Sequence, residues 1–209
     1  MDTNTIPKYD ISDNPTGCCP RFNPTGWDNQ SLHFENKRFV RATTHSLMHI
    51  PLNMNQVFTR VQQHIEDENA ADPAKEIVLS RDISGTEAEH FFAVTKDVPD
   101  EEMATISGDF ITRVFEGPYR NIKNHEHDMR IAAKAMGKTA KDVFFFYTTC
   151  PRCAKAYGEN YMVGFAQIDA MEYYFDTDPG FGLGISLPTV GGNTKDETFN
   201  ISTTGLSIG

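Results

Sequence analysis

The sequence has no apolar run that approaches the roughly 18 residues of a membrane-spanning helix. Its first 20 residues are polar and lack the basic and apolar regions of a secretory signal peptide. We therefore expect a cytoplasmic protein without a membrane partner.

Positive charge is also scarce. The chain has 19 Lys and Arg against 29 Asp and Glu, which gives a formal net charge of −10 at pH 7. The basic residues are scattered among carboxylates, whereas phosphate binding depends on clustered Lys and Arg. We therefore expect no nucleic-acid partner, and we expect the acidic surface to favour solubility.

Several signatures of catalysis and nucleotide binding are missing. The chain has no Gly-rich phosphate loop, no Gly-x-Ser-x-Gly elbow and no His-Glu-x-x-His motif. Function must therefore be argued from the fold and from small groups of reactive residues.

What the sequence does contain is one pattern written twice: a long strand, an amphipathic helix and two further strands. The copies begin near Phe39 and Met103, about 65 residues apart, a spacing typical of internal duplication. Hydrophobic periodicity and turn residues set the expected elements. They are a hairpin at 32–37 leading into a strand at 39–50, a helix at 54–68 and strands at 76–81 and 90–96, followed by a strand at 105–115, a helix at 120–136 and strands at 143–147 and 161–168.

The duplication predicts an α+β fold. Two βαββ units form an antiparallel sheet with two helices on one face and a groove between the halves, which is a natural pocket for a small-molecule ligand. Gly164 and Ala166 lower one face of the last strand, so a helix or a ligand can approach it closely. We assign residues 1–30 to an irregular N-terminal arm, 31–175 to the α+β domain, and 176–209 to a flexible or loosely docked tail in which short strands at 182–187 and 198–201 are a rival interpretation.

All four cysteines occur at two points, Cys18-Cys19 in the arm and Cys150-Pro151-Arg152-Cys153 after an aromatic strand. A Cys-x-x-Cys turn suits two corners of a zinc tetrahedron, and Cys18 and Cys19 could complete a structural site. Adjacent cysteines are awkward ligands, so three thiolates and one histidine form an alternative; the candidates are His33, His45 and His49.

Two other interpretations of the cysteines stay open. Cys150 and Cys153 could be a redox pair, although redox pairs of the thioredoxin type open a helix and residues 154–160 look too short for one. All four could also be buried as small apolar groups without a ligand.

The turn Glu116-Gly117-Pro118-Tyr119 is the second focal point, because it lies where the two halves should meet. Glu116 could contact a cationic ligand or act as a general base if it were buried. In the simpler interpretation, Gly-Pro makes the turn and Glu116 favours the N-terminus of the following helix. Tyr119, Tyr147 and Tyr161 are candidate walls of an apolar pocket.

This order of elements, together with the Gly117-Pro118-Tyr119 turn, resembles the GyrI-like small-molecule-binding superfamily, in which the SHS2 unit is duplicated. The cysteines at 18–19 and 150–153 resemble a stand-alone, hydrolase-like branch of that superfamily. The resemblance implies a ligand groove between the halves, in which some relatives hydrolyse reactive compounds with a carboxylate and aromatic residues.

Three hypotheses follow. The first is a cytosolic protein that binds apolar or cationic small molecules in the groove, with possible hydrolytic activity. The second is a hydrolase of reactive electrophiles that uses Glu116. The third is an interaction module stapled by zinc on the four cysteines.

Overall fold

Six antiparallel strands close into a ring in the computed structural model, which describes residues 2–47, 50–72 and 77–170. Hydrogen bonds join the strands in the order β1, β4, β3, β6, β7 and β5, and β5 pairs back with β1. A two-residue strand, β2 (Ile50–Pro51), pairs with the end of β1 outside this ring. The six strands are β1 (Ser31–Leu47), β3 (Val78–Asp82), β4 (Glu87–Ala93), β5 (Glu102–Glu116), β6 (Lys138–Tyr147) and β7 (Tyr161–Ala170).

Three α-helices accompany the sheet: α1 (Met54–Asp67), α2 (Ile122–Ala135) and the short α3 (Pro151–Tyr157). The order β1, α1, β3, β4 is repeated as β5, α2, β6, β7. The predicted α+β fold, with its antiparallel sheet and packed helices, is confirmed. None of the described helices is both long and apolar enough to span a bilayer.

The sheet has an inner face that encloses an aromatic core and an outer face that carries the long helices. Side chains alternate between the two along a strand. Phe144 lies in the inner core, for example, whereas its neighbour Phe145 packs beneath α2. Both long helices use the outer face: α1 packs on β1 and β4, and α2 packs on β5, β6 and β7.

One predicted hairpin is wrong. Residues 32–37 do not turn back; they belong to the continuous strand β1. The Asn36 residue has φ +47°, and the register with β5 shifts between Phe34 and Lys37. Asparagine tolerates this left-handed conformation, so the Asn-Lys pair makes a bulge and not a turn.

The close approach predicted at Gly164 is made by helix α2. A Cβ atom at Gly164 would lie 2.7 Å from Met129 Sδ and 3.2 Å from a ring carbon of Phe115. Met129 is fully buried at this contact. The missing side chain therefore lets α2 settle directly on β7.

The N-terminal segment packs aromatic side chains against the inner core. Trp27 is fully buried, and its ring lies 5.8 Å from that of Phe146 and 6.5 Å from that of Phe165. Phe22 packs on the ring of Tyr161 at 5.9 Å. This segment therefore covers the end of the core formed by the C-terminal part of β6.

A charged cluster lies near the other end of β6. Glu89 is buried on the inner face, where it accepts hydrogen bonds from Arg41 and from Arg81, each at 2.7 Å through Nε. Arg81 also pairs with Asp142. The guanidinium groups hold the pKa of Glu89 below its usual value against the opposing effect of burial.

Strand β3 lies between the two areas that the long helices cover. Its outward residues are Val78, Ser80 and Asp82, and Asp82 is exposed. This strip of the outer face, which we call the β3 strip, is the place where a groove between the halves would have its floor. The predicted tail and its rival short strands lie outside the described residues.

Candidate metal centre and outer-face polar cluster

The two cysteine pairs, 132 positions apart in the chain, come together into one cluster. The Sγ atoms of Cys18, Cys19, Cys150 and Cys153 all lie within 4.8 Å of one another. Cys18 Sγ is 3.7 Å from Cys19 Sγ and 4.0 Å from Cys150 Sγ. Tetrahedral zinc with Zn–S bonds of about 2.3 Å separates its sulfur ligands by about 3.8 Å. The spacing and the four soft donors therefore fit a zinc ion.

Local backbone geometry brings the adjacent cysteines to one side. Gly17 has φ +64°, a left-handed conformation that glycine adopts at no steric cost, and it turns the chain immediately before Cys18. The Sγ atoms of Cys18 and Cys19 lie 3.7 Å apart, so the divergence expected of successive side chains does not occur here.

The second pair opens a helix. Cys150 is the N-cap of α3, Pro151 occupies its first turn, and Gly158 ends it with φ +75°. The prediction that no helix follows the Cys-x-x-Cys turn was wrong, because the helix begins inside the motif and not after it. Cys153 is nevertheless fully buried, so a Cys150–Cys153 dithiol would present one sulfur at most to a redox partner.

Two of the sulfurs have hydrogen-bond partners that sequence reasoning missed. The Cys150 backbone N–H donates to Cys19 Sγ at 3.3 Å, and the Thr16 hydroxyl lies 3.3 Å from Cys153 Sγ. The Thr16 hydrogen bond lowers the pKa of Cys153 to about 6, whereas burial raises the pKa of Cys19. The Tyr157 hydroxyl donates to the Cys19 carbonyl and fixes α3 to the arm.

The alternative with a histidine ligand is not supported by the described residues. His33 is 2.7 Å from Asp109, and His45 is 3.4 Å from Glu87, both on neighbouring strands. His49 lies outside the described residues. The described donor set at the cluster is four thiols.

The three candidate tyrosines do not share one face of the sheet. Tyr119 and Tyr147 lie on the outer face with ring centroids 5.9 Å apart, whereas Tyr161 packs on the inner core against Phe22. Tyr119 donates its hydroxyl to the Thr149 carbonyl at 2.6 Å, next to Cys150. Burial raises the pKa of Tyr147 although 36% of the residue is exposed.

Glu116 ends β5 at the register position opposite Tyr161 and is exposed. The burial on which its predicted role as a general base depends is absent. A different carboxylate, Asp82, lies on the β3 strip and pairs with Lys123 of α2 at 3.4 Å.

A buried polar group on the outer face was also missed. His90 Nδ1 is 2.8 Å from Ser80 Oγ, and His90 Nε2 is 2.8 Å from Thr44 Oγ1. The Phe58 ring of α1 covers the imidazole, with centroids 4.8 Å apart. The sequence held one signal: Ser80 and His90 are equidistant from the Ser84-Gly85-Thr86 turn, so a hairpin centred there places them side by side.

A family model described as bacterial hydrolase matches residues 9–168. The match covers most of the chain and includes the four cysteines, the β3 strip and both long helices. The chain belongs to the bacterial hydrolase family. No curated protein gives a significant match. The resemblance to the GyrI-like superfamily and the cytoplasmic location of this protein stay predictions.

The buried imidazole makes the stability of this protein sensitive to acid. Desolvation lowers the pKa of His90 from 6.5 to about 4, against the opposing charges of Asp82 and Glu89. As the pH falls, the imidazole is therefore protonated at a higher pH in the unfolded chain than in the folded protein. The contribution of neutral His90 to the free energy of unfolding is fully present above pH 6.5. It falls by about 3 kcal/mol as the pH decreases to 4.

Urea unfolding at several pH values checks this expectation. His90→Gln keeps two hydrogen-bonding atoms for Ser80 and Thr44 but does not titrate. We expect the variant to lose about 3 kcal/mol less than the wild type between pH 7 and 4, with acid effects on the cysteines common to both. Equal losses would show that His90 is not buried in its neutral form.

Proposed function

We propose that this protein binds apolar or cationic small molecules on the outer face of its sheet, between α1 and α2, and hydrolyses them. The β3 strip carries the proposal, because it lies between the areas that α1 and α2 cover and its far end, Asp82, is exposed. Membership of the bacterial hydrolase family supports the second half of the proposal.

The side chains beside the strip suit such a ligand. Tyr119 and Tyr147 offer two neighbouring aromatic rings, and a partly exposed Tyr147 can stack on an apolar or cationic group. Asp82 supplies a negative charge in reach of a cation, although Lys123 competes for it. In this proposal Asp82, and not Glu116, is the carboxylate that contacts a cationic ligand.

Thermal unfolding with the hydrophobic cation tetraphenylphosphonium tests the binding step. At about ten times the Kd, ligand binding stabilises the folded state by about 1.4 kcal/mol, which raises the Tm of a chain of this size by roughly 3–5 °C. Tyr147→Leu should reduce this shift to about 1 °C or less, because it removes the ring that the cation contacts.

Tyr161→Leu is the matched control, since Tyr161 lies on the inner face. This variant should be less stable than the wild type but should keep the ligand-induced shift. A shift that is absent in the wild type at millimolar ligand, or that depends on Tyr161 and not on Tyr147, would contradict the proposed groove.

We propose, second, that the cysteine cluster is a structural zinc centre. The convergence of four sulfurs within 4.8 Å supports this over a two-sulfur redox pair. A tetrathiolate site leaves no open coordination position on the metal. We therefore expect the zinc to be structural and to hold the arm and α3 together. Zinc bound there would join Cys18 and Cys19 of the arm to Cys150 and Cys153 behind β6.

A further inference from the structure

We infer that Ser80 is the nucleophile of this protein, that His90 is its general base, and that the substrate class is small carboxylic esters. This inference rests on the proposed hydrolase function and names the reacting groups of that same groove. Among the described residues, His90 is the histidine whose ring hydrogen-bonds a serine hydroxyl.

The position of this pair is unusual for a purely structural polar group. Its neighbours on the outer face are apolar: Ala42 lies opposite His90, and Phe145 lies opposite Ser80. Burying an imidazole and two hydroxyls among such residues costs free energy that hydrogen bonds only offset. Apolar residues would pack at these positions without this cost. A nucleophile, its base and a positioning residue would explain why Ser80, His90 and Thr44 are polar.

All three residues are buried, and Ser80 is the least buried of them. Thr44 is 0% exposed and His90 2%, whereas Ser80 is 6% exposed. Asp82, the next outward residue on β3, is exposed. Ser80 shares β3 with Asp82, so a substrate that approached along this strand would meet Ser80 before His90 or Thr44.

The hydrogen bonds assign a role to each group. A neutral imidazole donates from one nitrogen and accepts at the other. With Nε2–H donating to Thr44 Oγ1, Nδ1 is free to accept the Ser80 proton. In this assignment Thr44 is a positioning residue that accepts from the ring and holds its orientation. Burial, which lowers the pKa of His90 to about 4, keeps the resting ring neutral.

The chemical step is an acyl transfer. Ser80 Oγ bonds to the ester carbonyl carbon as its proton moves to His90 Nδ1. The carbon–oxygen bond to the alcohol breaks, and the leaving alkoxide takes that proton. Water then attacks the acyl-serine and passes a proton to His90, which returns it to Ser80 Oγ as the carboxylic acid leaves.

A fluorophosphonate probe tests the inference, because it forms a stable covalent adduct with an activated serine. We expect one adduct on the full-length protein, mapped to Ser80 by peptide mass spectrometry. Ser80→Ala should abolish it, and His90→Gln should slow it at least 100-fold, the usual contribution of a general base. Ser84→Ala, an exposed serine in the adjoining turn, is the matched control and should label at the wild-type rate.

Two further variants separate catalysis from folding. Ser80→Cys changes one atom and should move the reactivity from the fluorophosphonate to iodoacetamide at position 80. Thr44→Val should slow the labelling of Ser80, and Thr44→Ser should restore it. Circular dichroism and metal content identify variants that fold.

The outcomes distinguish this inference from the proposed binding function. Absence of the adduct, an adduct at another residue, or a rate that His90→Gln leaves unchanged would overturn the Ser80 assignment. In each of these cases a tetraphenylphosphonium shift that depends on Tyr147 would leave the binding groove standing. Labelling of Ser80 without any such shift would uphold the nucleophile and reject the predicted ligand class.

Discussion

Cys150→Ser is expected to remove a stoichiometric zinc ion from the purified protein. The substitution takes one of four sulfurs that lie within 4.8 Å of one another, and serine is a poor ligand for zinc. Metal content measured by plasma mass spectrometry should fall from about one equivalent to below about 0.1, because a site that binds only the folded chain loses its affinity when its geometry breaks.

Loss of the metal should also lower stability. A ligand present at about 1,000 times its Kd stabilises the folded state by about 4 kcal/mol, so the Tm should fall by roughly 8–16 °C. Trp27 is the single tryptophan and lies in the arm, so its fluorescence reports arm docking. In Cys150→Ser we expect this fluorescence to change at a lower urea concentration than the circular dichroism of the sheet.

Thr16→Val provides the control for this experiment. It keeps all four sulfurs and removes the hydroxyl beside Cys153. Loss of such a supporting hydrogen bond typically weakens a metal site by 10–100-fold, so the variant should retain zinc as purified but release it to a weaker chelator. A metal-free wild type whose Tm equals that of Cys150→Ser would remove the zinc proposal, and a different stoichiometric metal would correct its identity.

The sequence predicted those parts of the structure that depend on local pattern. Helix α1 follows from the apolar spacing of residues 54–68, and Gly164 correctly indicated where a helix approaches the sheet. Asn36 shows the limit: the same residue types make a turn or a bulge, and the choice is decided by pairing with β5, which is distant in sequence.

Some of the functional groups could likewise be predicted from the sequence, and others depend on contacts between distant strands. Proximity of the two cysteine pairs was predictable from their chemistry, because four thiols in two groups suit one metal. The exposure of Glu116 was not predictable, since it depends on the register in which β5 meets β7. The contact between Ser80 and Thr44 through His90 joins three strands, and no local pattern reports such a contact.

The second large effect is expected at Trp27. Trp27→Ala should destabilise the protein by about 3–5 kcal/mol, because it leaves a cavity between the arm and the rings of Phe146 and Phe165. It also removes the indole N–H that donates to the Lys8 carbonyl at 3.3 Å. Urea unfolding followed by circular dichroism measures the loss. Trp27→Phe keeps an aromatic ring and should cost less, about 1–3 kcal/mol; equal costs for both variants would contradict the cavity argument.

Combining Trp27→Ala with Cys150→Ser tests whether the aromatic core and the cysteine cluster hold the same segment. Both contacts order the arm, so once one is lost the other has less ordered structure left to stabilise. The double variant should then be more stable than the sum of the two losses predicts, by at least about 0.5 kcal/mol. Full additivity would mean that the cluster stabilises α3 alone, and that the arm is held by its aromatic side chains.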